Sequence, residues 1–248
     1  MKSYREERVL KTRDCDMTTA WRPGAILEAM QETAEVHSCM LGAGWKALRN
    51  LNLAWVITRL EMELDRYPAV GERVSIETWH RPVRRWFFPR YFMIRDSEDR
   101  EIGRAASLWV LLDLRTRQMA RPDQVAALMP DNSDLPAPLG LPAPVTEVSG
   151  TLQVGSYVPL YTDMDANGHV NNCRYVDWAC NALALQTMTD WELSRFQVSF
   201  NSEVRPGEAL RTELKRLDDR FSFCGLDGEK RCIEVGGALR PRKERWGV

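Results

Sequence analysis

The chain has 248 residues, 44% of them hydrophobic, which is enough apolar material for one large domain or two small ones and argues against disorder. Its 34 basic and 35 acidic side chains leave a formal charge of -1, which predicts neither nucleic-acid binding nor a cationic membrane-binding surface. The N-terminal residues are too charged for a secretory signal, and no segment stays apolar for long enough to insert into a membrane. We therefore expect a cytoplasmic protein.

The first half is predicted to begin with a strand and a long helix. Residues 4–12 are predicted to form the strand, 14–16 a loop and 23–40 the helix, because apolar residues recur there at spacings of three and four and Pro23 suits a first helical turn. Three strands are predicted between residues 73 and 114, where polar and apolar side chains alternate.

Residues 121–150 contain six of the chain's 13 prolines. Proline lacks a backbone donor and biases the preceding residue toward extended geometry, so this segment is predicted to be a linker. The predicted organisation is an N-terminal domain over 1–120, the linker over 121–150 and a C-terminal domain over 151–248.

The second half repeats the order of elements of the first. It is predicted to contain a strand over 155–160, a loop over 162–165 and a helix over 170–185, followed by strands over 210–216, 221–226 and 231–239. A shift of 149 positions places Asp14 on Asp163 and Asp16 on Asp165. Each half is therefore predicted to be an α+β unit in which an antiparallel sheet covers a helix.

Histidine, the usual general acid or base near neutral pH, occurs only at positions 37, 80 and 169. His37 and His80 lie within a predicted helix and strand, where structural or solvent-facing roles are expected. His169 follows Asp165 and Asn167 just before the second predicted helix, whose unpaired N–H groups and positive dipole end suit an oxyanion. The same residues are also common helix caps and turn formers, so the pattern alone leaves both roles open.

The internal repeat favours chemistry at this loop. In the first half Asp16 matches Asp165, but Thr18 replaces Asn167 and Ala20 replaces His169. A loop kept only for its structure would be the same in both halves. One working site in the second half is therefore expected.

Several residues together identify a family. The string Asp165-x-Asn167-x-His169-Val-Asn-Asn-x-x-Tyr175, with Trp178 after it, resembles the signature of the acyl-acyl carrier protein thioesterases of plants and bacteria. Glu203 falls where that family has a catalytic glutamate. The resemblance covers nearly the whole chain.

This resemblance implies tandem hotdog domains that hydrolyse fatty acyl thioesters on acyl carrier protein without a metal or cofactor. By position it implies that Asp165, Asn167, His169 and Glu203 form the catalytic set. Val204 stands where plant members often have a cysteine, which excludes a cysteine nucleophile at that position. The N-terminal hotdog holds the acyl tail in this family, which makes residues of the first helix candidates for substrate binding: Ile26, Leu27, Met30 and Thr33.

The expected mechanism is attack by water that Glu203 or His169 activates. Asn167 and backbone N–H groups at the start of the second helix would hold the carbonyl oxygen, while Asp165 would orient the set or act directly on the carbonyl. The alternatives are an acyl-CoA thioesterase, a hotdog hydratase or dehydratase, a non-catalytic acyl-binding module, and a metal site built from Asp165 and His169.

Two further features have open interpretations. The segment from Arg81 to Arg90 alternates cations with aromatics, which indicates either core aromatics with solvated arginines between them or a patch facing the acidic carrier protein. The six cysteines lack C-x-x-C spacing and are expected to be reduced and mostly structural. A homodimer is also considered.

Overall fold

The computed structural model describes residues 1–243, so the last five residues of the predicted C-terminal domain, 244–248, lie outside the described residues. The chain forms two compact units, Met1–Ala143 and Pro144–Val248. Within the described part, none of the helices combines the length and apolar character needed to cross a bilayer.

The first unit contains one five-stranded antiparallel sheet and a long helix. The strands are ordered β1-β3-β4-β5-β2 across the sheet. Helix α1 packs against β1 and β3, and α2 packs against β2. The elements are β1 (Ser3–Val9), α1 (Pro23–Met40), α2 (Trp45–Asn50), β2 (Leu53–Leu64), β3 (Arg73–His80), β4 (Phe88–Asp96), β5 (Glu101–Asp113) and the short α3 (Asp123–Ala126).

Helix α1 begins and ends where the sequence predicts. Pro23 occupies the first turn, where its missing N–H costs no helical hydrogen bond. At the other end Gly42 takes a φ of 76°, a left-handed conformation that glycine adopts without a steric penalty, and the Ala43 N–H donates to the Ser38 carbonyl at 2.8 Å. Local sequence therefore accounts for both ends of the helix, Pro23 at its start and Gly42 just after its end.

The second unit repeats this strand connectivity. Its sheet has the order β6-β8-β9-β10-β7, which is the first unit's order with each strand replaced by its repeat equivalent. Helix α4 contacts β10 and helix α5 contacts β7. The elements are β6 (Thr151–Tyr157), α4 (Arg174–Ala182), α5 (Leu185–Asp190), β7 (Trp191–Phe200), β8 (Leu210–Leu217), β9 (Arg220–Asp227) and β10 (Lys230–Pro241).

The second predicted helix, 170–185, is wrong at both boundaries. Helix α4 begins only at Arg174, because the residues before it belong to the loop, where the Val170 and Asn171 N–H groups donate to the carbonyls of Val204 and Asp163. It ends before Ala184, whose φ of 73° breaks the helix, and α5 begins at the next residue. Tertiary hydrogen bonds thus override a helical pattern that is sound by spacing alone.

The proline-rich segment is largely ordered on the first unit. Leu135 and Leu139 pack against a cluster on that unit's sheet that includes Trp79 and Tyr91. The Trp79 indole N–H also donates to the Pro136 carbonyl at 3.0 Å. The boundary between the units follows Ala143, inside the predicted linker.

Candidate active site

The loop from Asp163 to Asn171 is organised around the Asp165 carboxylate. Its Oδ1 accepts the backbone N–H of Asn167 at 2.8 Å and that of His169 at 3.3 Å. The main chain closes the turn, because the Asp165 N–H donates to the His169 carbonyl at 2.8 Å. Gly168 permits this closure with a φ of 79°. Asp165 therefore fixes the positions of the two polar residues that follow it.

His169 faces Glu203, which lies shortly after strand β7. Its Nε2 is 3.3 Å from Glu203 Oε2, and the two side chains are 25% and 36% exposed, so both are open to water and to a ligand. The adjacent Val170 N–H donates to the Val204 carbonyl at 3.0 Å and so ties the two segments together. This backbone hydrogen bond, between the residues that follow His169 and Glu203, holds the imidazole and the carboxylate close together.

Asn167 completes the group on the exposed side of the loop. Its side-chain Nδ2 is 3.3 Å from Asp165 Oδ2, and the residue is exposed. The structure thus brings all four sequence-predicted residues into one chain of contacts. Asn167 contacts Asp165, Asp165 contacts the His169 backbone, and His169 contacts Glu203.

A second carboxylate, which sequence reasoning did not select, supports the loop from inside. Asp163 is 5% exposed, and its Oδ2 accepts the Leu160 N–H at 2.7 Å and lies 3.2 Å from the Tyr157 hydroxyl. Its Oδ1 is 3.5 Å from the indole Nε1 of Trp178 on α4. The signal was present in the sequence, since Asp163 and Asp14 coincide in the repeat.

Tyr175 supports the Glu203 segment. Its ring is buried and stands edge-on to Trp178, with 5.0 Å between the ring centroids. Burial raises the pKa of its hydroxyl, and the neighbouring Asp165 and Glu203 carboxylates act in the same direction, against a hydrogen bond from the Val204 backbone. Tyr175 therefore stays neutral and places its hydroxyl beside the segment that carries Glu203.

The expected oxyanion donors at the start of the second helix are mostly engaged elsewhere. The N–H groups of Val170 and Asn171 donate to Val204 and Asp163, and those of Cys173 and Arg174 donate to the Oδ1 and carbonyl of Asn171. These four groups therefore build the loop, and the role of backbone N–H groups at the start of the second helix in holding the carbonyl oxygen stays a prediction.

The predicted tail-binding residues lie together on α1 in the first unit. Ile26, Leu27, Met30 and Thr33 are at most 2% exposed. Thr33 Oγ1 lies 2.8 Å from the Ala29 carbonyl and 3.0 Å from Glu6 Oε2. All four occupy the interior of that unit, and their contact with an acyl tail stays a prediction.

The basic segment from Arg81 to Arg90 contains both exposed and buried arginines. Arg84 and Arg85 are exposed, as solvated arginines would be, and Arg85 sits in a turn with a φ of 57°. Arg90 is only 2% exposed, so the expectation of a solvated arginine is wrong at that position. Its neighbours include His37 and His80, which are likewise buried.

Among residues 1–243, no group of three or more histidine, cysteine, aspartate or glutamate side chains is arranged to hold a metal ion. The six cysteines are free thiols. Burial raises the pKa of the Cys224 thiol to about 11, which keeps that sulfur protonated and unreactive near neutral pH.

Two family models together match most of the chain. Residues 1–128 match the acyl-ACP thioesterase N-terminal domain, and residues 149–231 match the acyl-ACP thioesterase C-terminal domain. The chain belongs to the acyl-ACP thioesterase family. The predicted family is thus confirmed.

Curated relatives agree with this membership. The chain is 27% identical over 239 residues to a chloroplastic palmitoyl-acyl carrier protein thioesterase from Gossypium hirsutum, an alignment that covers 89% of this chain and 58% of the relative. It is 26% identical over 236 residues to a chloroplastic dodecanoyl-[acyl-carrier-protein] hydrolase from Cinnamomum camphora, with 90% and 62% covered. The chain spans about 60% of the length of the curated relatives it matches.

Solved structures share the fold. An acyl-ACP thioesterase from Bacteroides thetaiotaomicron superimposes with a TM-score of 0.86 at 24% identity, covering 96% of this chain and 98% of that one. A 12:0-ACP thioesterase from Umbellularia californica gives 0.80 at 22% identity, with 97% and 98% covered. The α+β prediction of tandem hotdog domains is confirmed.

Proposed function

We propose that the chain hydrolyses fatty acyl-acyl carrier protein thioesters to free fatty acid and carrier thiol, which terminates elongation of the acyl chain. The observation that carries this proposal is the pairing of His169 with Glu203 at 3.3 Å beside the Asp165 loop, in a chain of the acyl-ACP thioesterase family. The names of relatives such as palmitoyl- and dodecanoyl-carrier thioesterases support a medium or long acyl chain.

In the proposed reaction a water molecule adds to the thioester carbonyl. The His169–Glu203 pair takes a proton from that water and returns it to the sulfur as the carbon–sulfur bond breaks, so water and thioester give acid and thiol. Asn167, exposed on the same loop, polarises the carbonyl oxygen.

Asp165 is assigned an orienting role. Both of its carboxylate oxygens have partners within the loop, the N–H groups of Asn167 and His169 on one and the Asn167 amide on the other. Asp16 accepts the equivalent backbone N–H groups, from Thr18 and Ala20, in a loop that lacks the histidine. A carboxylate with the same partners in both loops is better explained as a loop former than as a nucleophile.

We propose a division of labour in which residues 1–120 bind the acyl tail, 121–150 connect, and 151–248 cleave the thioester. The buried residues of α1, among them Ile26 and Met30, are the proposed contacts of the tail.

The proposed partner is acyl carrier protein, and the exposed Arg84 and Arg85 offer it a positive surface. The six free thiols support a reducing compartment such as the cytoplasm. The homodimer stays a prediction, which sedimentation would test.

The direct test is thiol release from acyl carrier protein loaded with chains of graded length, with acyl-CoA of the same lengths as the comparison. We expect turnover of the carrier substrates with a clear preference in chain length. Thiol release from acyl-CoA but not from the carrier would mean that the substrate is acyl-CoA. Tight acyl binding without thiol release would refute hydrolysis. Hydration of an enoyl substrate without thiol release would identify a hydratase instead.

A further inference from the structure

The outer edge of the second unit's sheet is open. Strand β6 lies at the end of the strand order β6-β8-β9-β10-β7, and among the described residues it pairs only with β8. In an antiparallel pair, every second residue directs its N–H and C=O groups away from the partner strand. Strand β6 (Thr151–Tyr157) therefore presents a row of backbone donors and acceptors that no described strand covers.

The side chains of β6 are exposed on both faces of the sheet. Residues 151–156 are exposed, and the partly buried Tyr157 packs on Trp178 of α4 with 4.1 Å between the ring centroids. Because side chains alternate along a strand, Leu152 and Val154 lie on the face opposite to α4. They are 47% and 60% exposed, so this edge carries apolar surface that the described residues leave open.

The first unit protects its equivalent edge strand, β1, with charge. Charged side chains on an edge strand prevent it from pairing with another chain. The ion pairs of β1, at 2.6 to 3.5 Å, are Arg5–Asp99, Glu7–Arg73, Arg8–Glu6 and Arg8–Glu32. The repeat shift of 149 positions places Ser3 on Leu152 and Arg5 on Val154. In contrast to β1, β6 has no charged residue, no proline and no break in its register with β8.

The charge pattern favours a second copy of this chain as the occupant of the β6 edge. Residues 148–162 contain no charged side chain, although 28% of the whole chain is charged. Such a surface offers no ion pair to an acidic carrier protein, whereas two copies can meet there without opposing like charges. The formal charge of -1 on each chain adds little long-range repulsion between the copies.

We propose that two copies of this chain associate through their β6 strands, which pair antiparallel about a twofold axis at Val154 and perpendicular to the sheet. Val154 then lies opposite its symmetry mate, and Leu152 lies opposite Ser156 of the partner subunit. Opposed valines in an antiparallel pair have Cβ atoms roughly 5 Å apart and pack together. The open backbone groups of both strands become hydrogen-bonded, and the apolar side chains of the two copies share one face.

The direct test is sedimentation velocity of the full chain over a range of concentrations, with Val154→Lys as the variant. The wild type should form a dimer whose proportion rises with concentration. Val154→Lys places two like charges opposite each other at the centre of the strand pair, so it should raise the dimer Kd at least tenfold. The matched control is Val70→Lys, because Val70 is a 41% exposed valine of the first unit, and this variant should dimerise as the wild type does.

A crosslink locates the contact without a change of charge. Val154→Cys should form a covalent dimer with a short bifunctional maleimide, because the twofold axis brings residue 154 of both copies within reach of one reagent molecule. The wild type, which has the exposed Cys39, and Val70→Cys measure the background of crosslinking through other positions. Circular dichroism checks that every variant has the wild-type fold.

The proposal is overturned if the wild type stays monomeric at every concentration, or if Val154→Lys dimerises as tightly as the wild type. Crosslinking of Val154→Cys at the background level would overturn it as well. A last arm adds acyl carrier protein: a complex with the monomeric wild type that Val154→Lys cannot form would assign the edge to the carrier instead. These measurements report mass and contact rather than turnover, so their outcome is independent of the proposed hydrolysis.

Discussion

The two units contain the same loop, and we propose that only one of the two loops carries chemistry. In the first unit Asp16 Oδ1 accepts the N–H of Thr18 at 2.8 Å and that of Ala20 at 3.3 Å, the same distances that Asp165 has to Asn167 and His169. The turn closes at 2.8 Å from the Asp16 N–H to the Ala20 carbonyl, as it does in the second unit. The loop backbone is therefore independent of the side chains that we propose to be catalytic.

The agreement extends to the residues on either side. Asp14 accepts the Arg22 N–H on its carbonyl at 2.9 Å, and Asp163 accepts the Asn171 N–H at 2.8 Å. What differs is two side chains of the turn, where Thr18 stands in place of Asn167 and the buried Ala20 in place of His169. The comparison teaches that the aspartates build the turn and that the other positions decide what the turn does.

The largest expected effect is on catalysis in the second unit. His169→Gln and Glu203→Gln should each lower kcat by a factor on the order of 10² to 10⁴, because each removes one member of the acid–base pair. Thiol release from acyl carrier protein measures the loss, and circular dichroism checks that the fold persists. Thr18→Ala, at the repeat equivalent of Asn167, is the control and should leave kcat unchanged. Loss of turnover in the control with intact turnover in His169→Gln would place the site in the first unit.

The next effect concerns stability in acid, which the buried histidines of the first unit should control. Burial and the Arg90 charge lower the pKa of His37 to about 4, so from pH 6.5 down to 4 the unfolded chain binds a proton that the folded unit excludes. The free energy of unfolding should therefore fall with pH across that window by about 3 kcal/mol, and His80 adds to the loss in the same direction.

Denaturant unfolding at several pH values tests this, with His37→Asn as the variant, because asparagine can still accept from Arg90 but does not titrate. Its stability should depend less on pH than that of the wild type. Hydrogen exchange should locate the acid loss in β3 and β4, which carry His80 and Arg90. An unchanged slope in His37→Asn would mean that acid acts on the chain elsewhere.

The repeat explains why the order of elements and the position of the loop with the proposed catalytic residues could be predicted from sequence. Periodicity and a proline fixed α1 almost to the residue, and the loop residues lie within a short stretch of chain, so their proximity needs little tertiary information. Glu203 is far away in sequence, and only the family resemblance selected it. The late start of α4 depends on the hydrogen bond between Val170 and Val204, which no local pattern contains.

The burial of Arg90 is a second feature that local sequence does not predict. In sequence it is one of several arginines between aromatic residues, and solvation is the expected state of such a side chain. Its burial becomes visible only when β3, β4 and α1 bring His80, Arg90 and His37 together. A buried polar cluster whose residues come from three elements has no periodic pattern in the sequence. This cluster could therefore not be predicted from the sequence.

A smaller effect is expected if the first unit binds the acyl tail while the second unit cleaves the thioester. Met30→Trp and Ile26→Phe enlarge fully buried residues of α1 and should shift the preference toward shorter chains by about tenfold, since each excluded methylene is worth roughly 0.8 kcal/mol. The measurement is the ratio of kcat/KM for short and long carrier substrates. Both variants overpack the core, so their melting temperatures must be compared with the wild type. Equal loss at every chain length would assign α1 to the fold alone.

The smallest expected effect is on the free energy of unfolding, and it tests the role of the two aspartates. Asp16→Ala and Asp165→Ala should each lower the free energy of unfolding by about 1 to 2 kcal/mol, because each leaves two backbone N–H groups without their carboxylate acceptor. Only Asp165→Ala should also lower kcat, since only that loop positions Asn167 and His169. Denaturant unfolding and thiol release on the same two variants give both quantities.

Replacing each aspartate with asparagine sharpens this test. The amide Oδ1 can still accept the backbone N–H groups, but asparagine has no carboxylate that could act as a nucleophile. If Asp165 orients the loop, Asp165→Asn should recover most of the stability and keep kcat within about tenfold of the wild type, as one weakened hydrogen bond allows. If Asp165 attacks the thioester, the asparagine variant should lose activity by a factor on the order of 10³ or more while remaining as stable as its Asp16→Asn counterpart. The equal geometry of the two loops favours the first outcome, since Asp16 makes the same bonds without a catalytic histidine beside it.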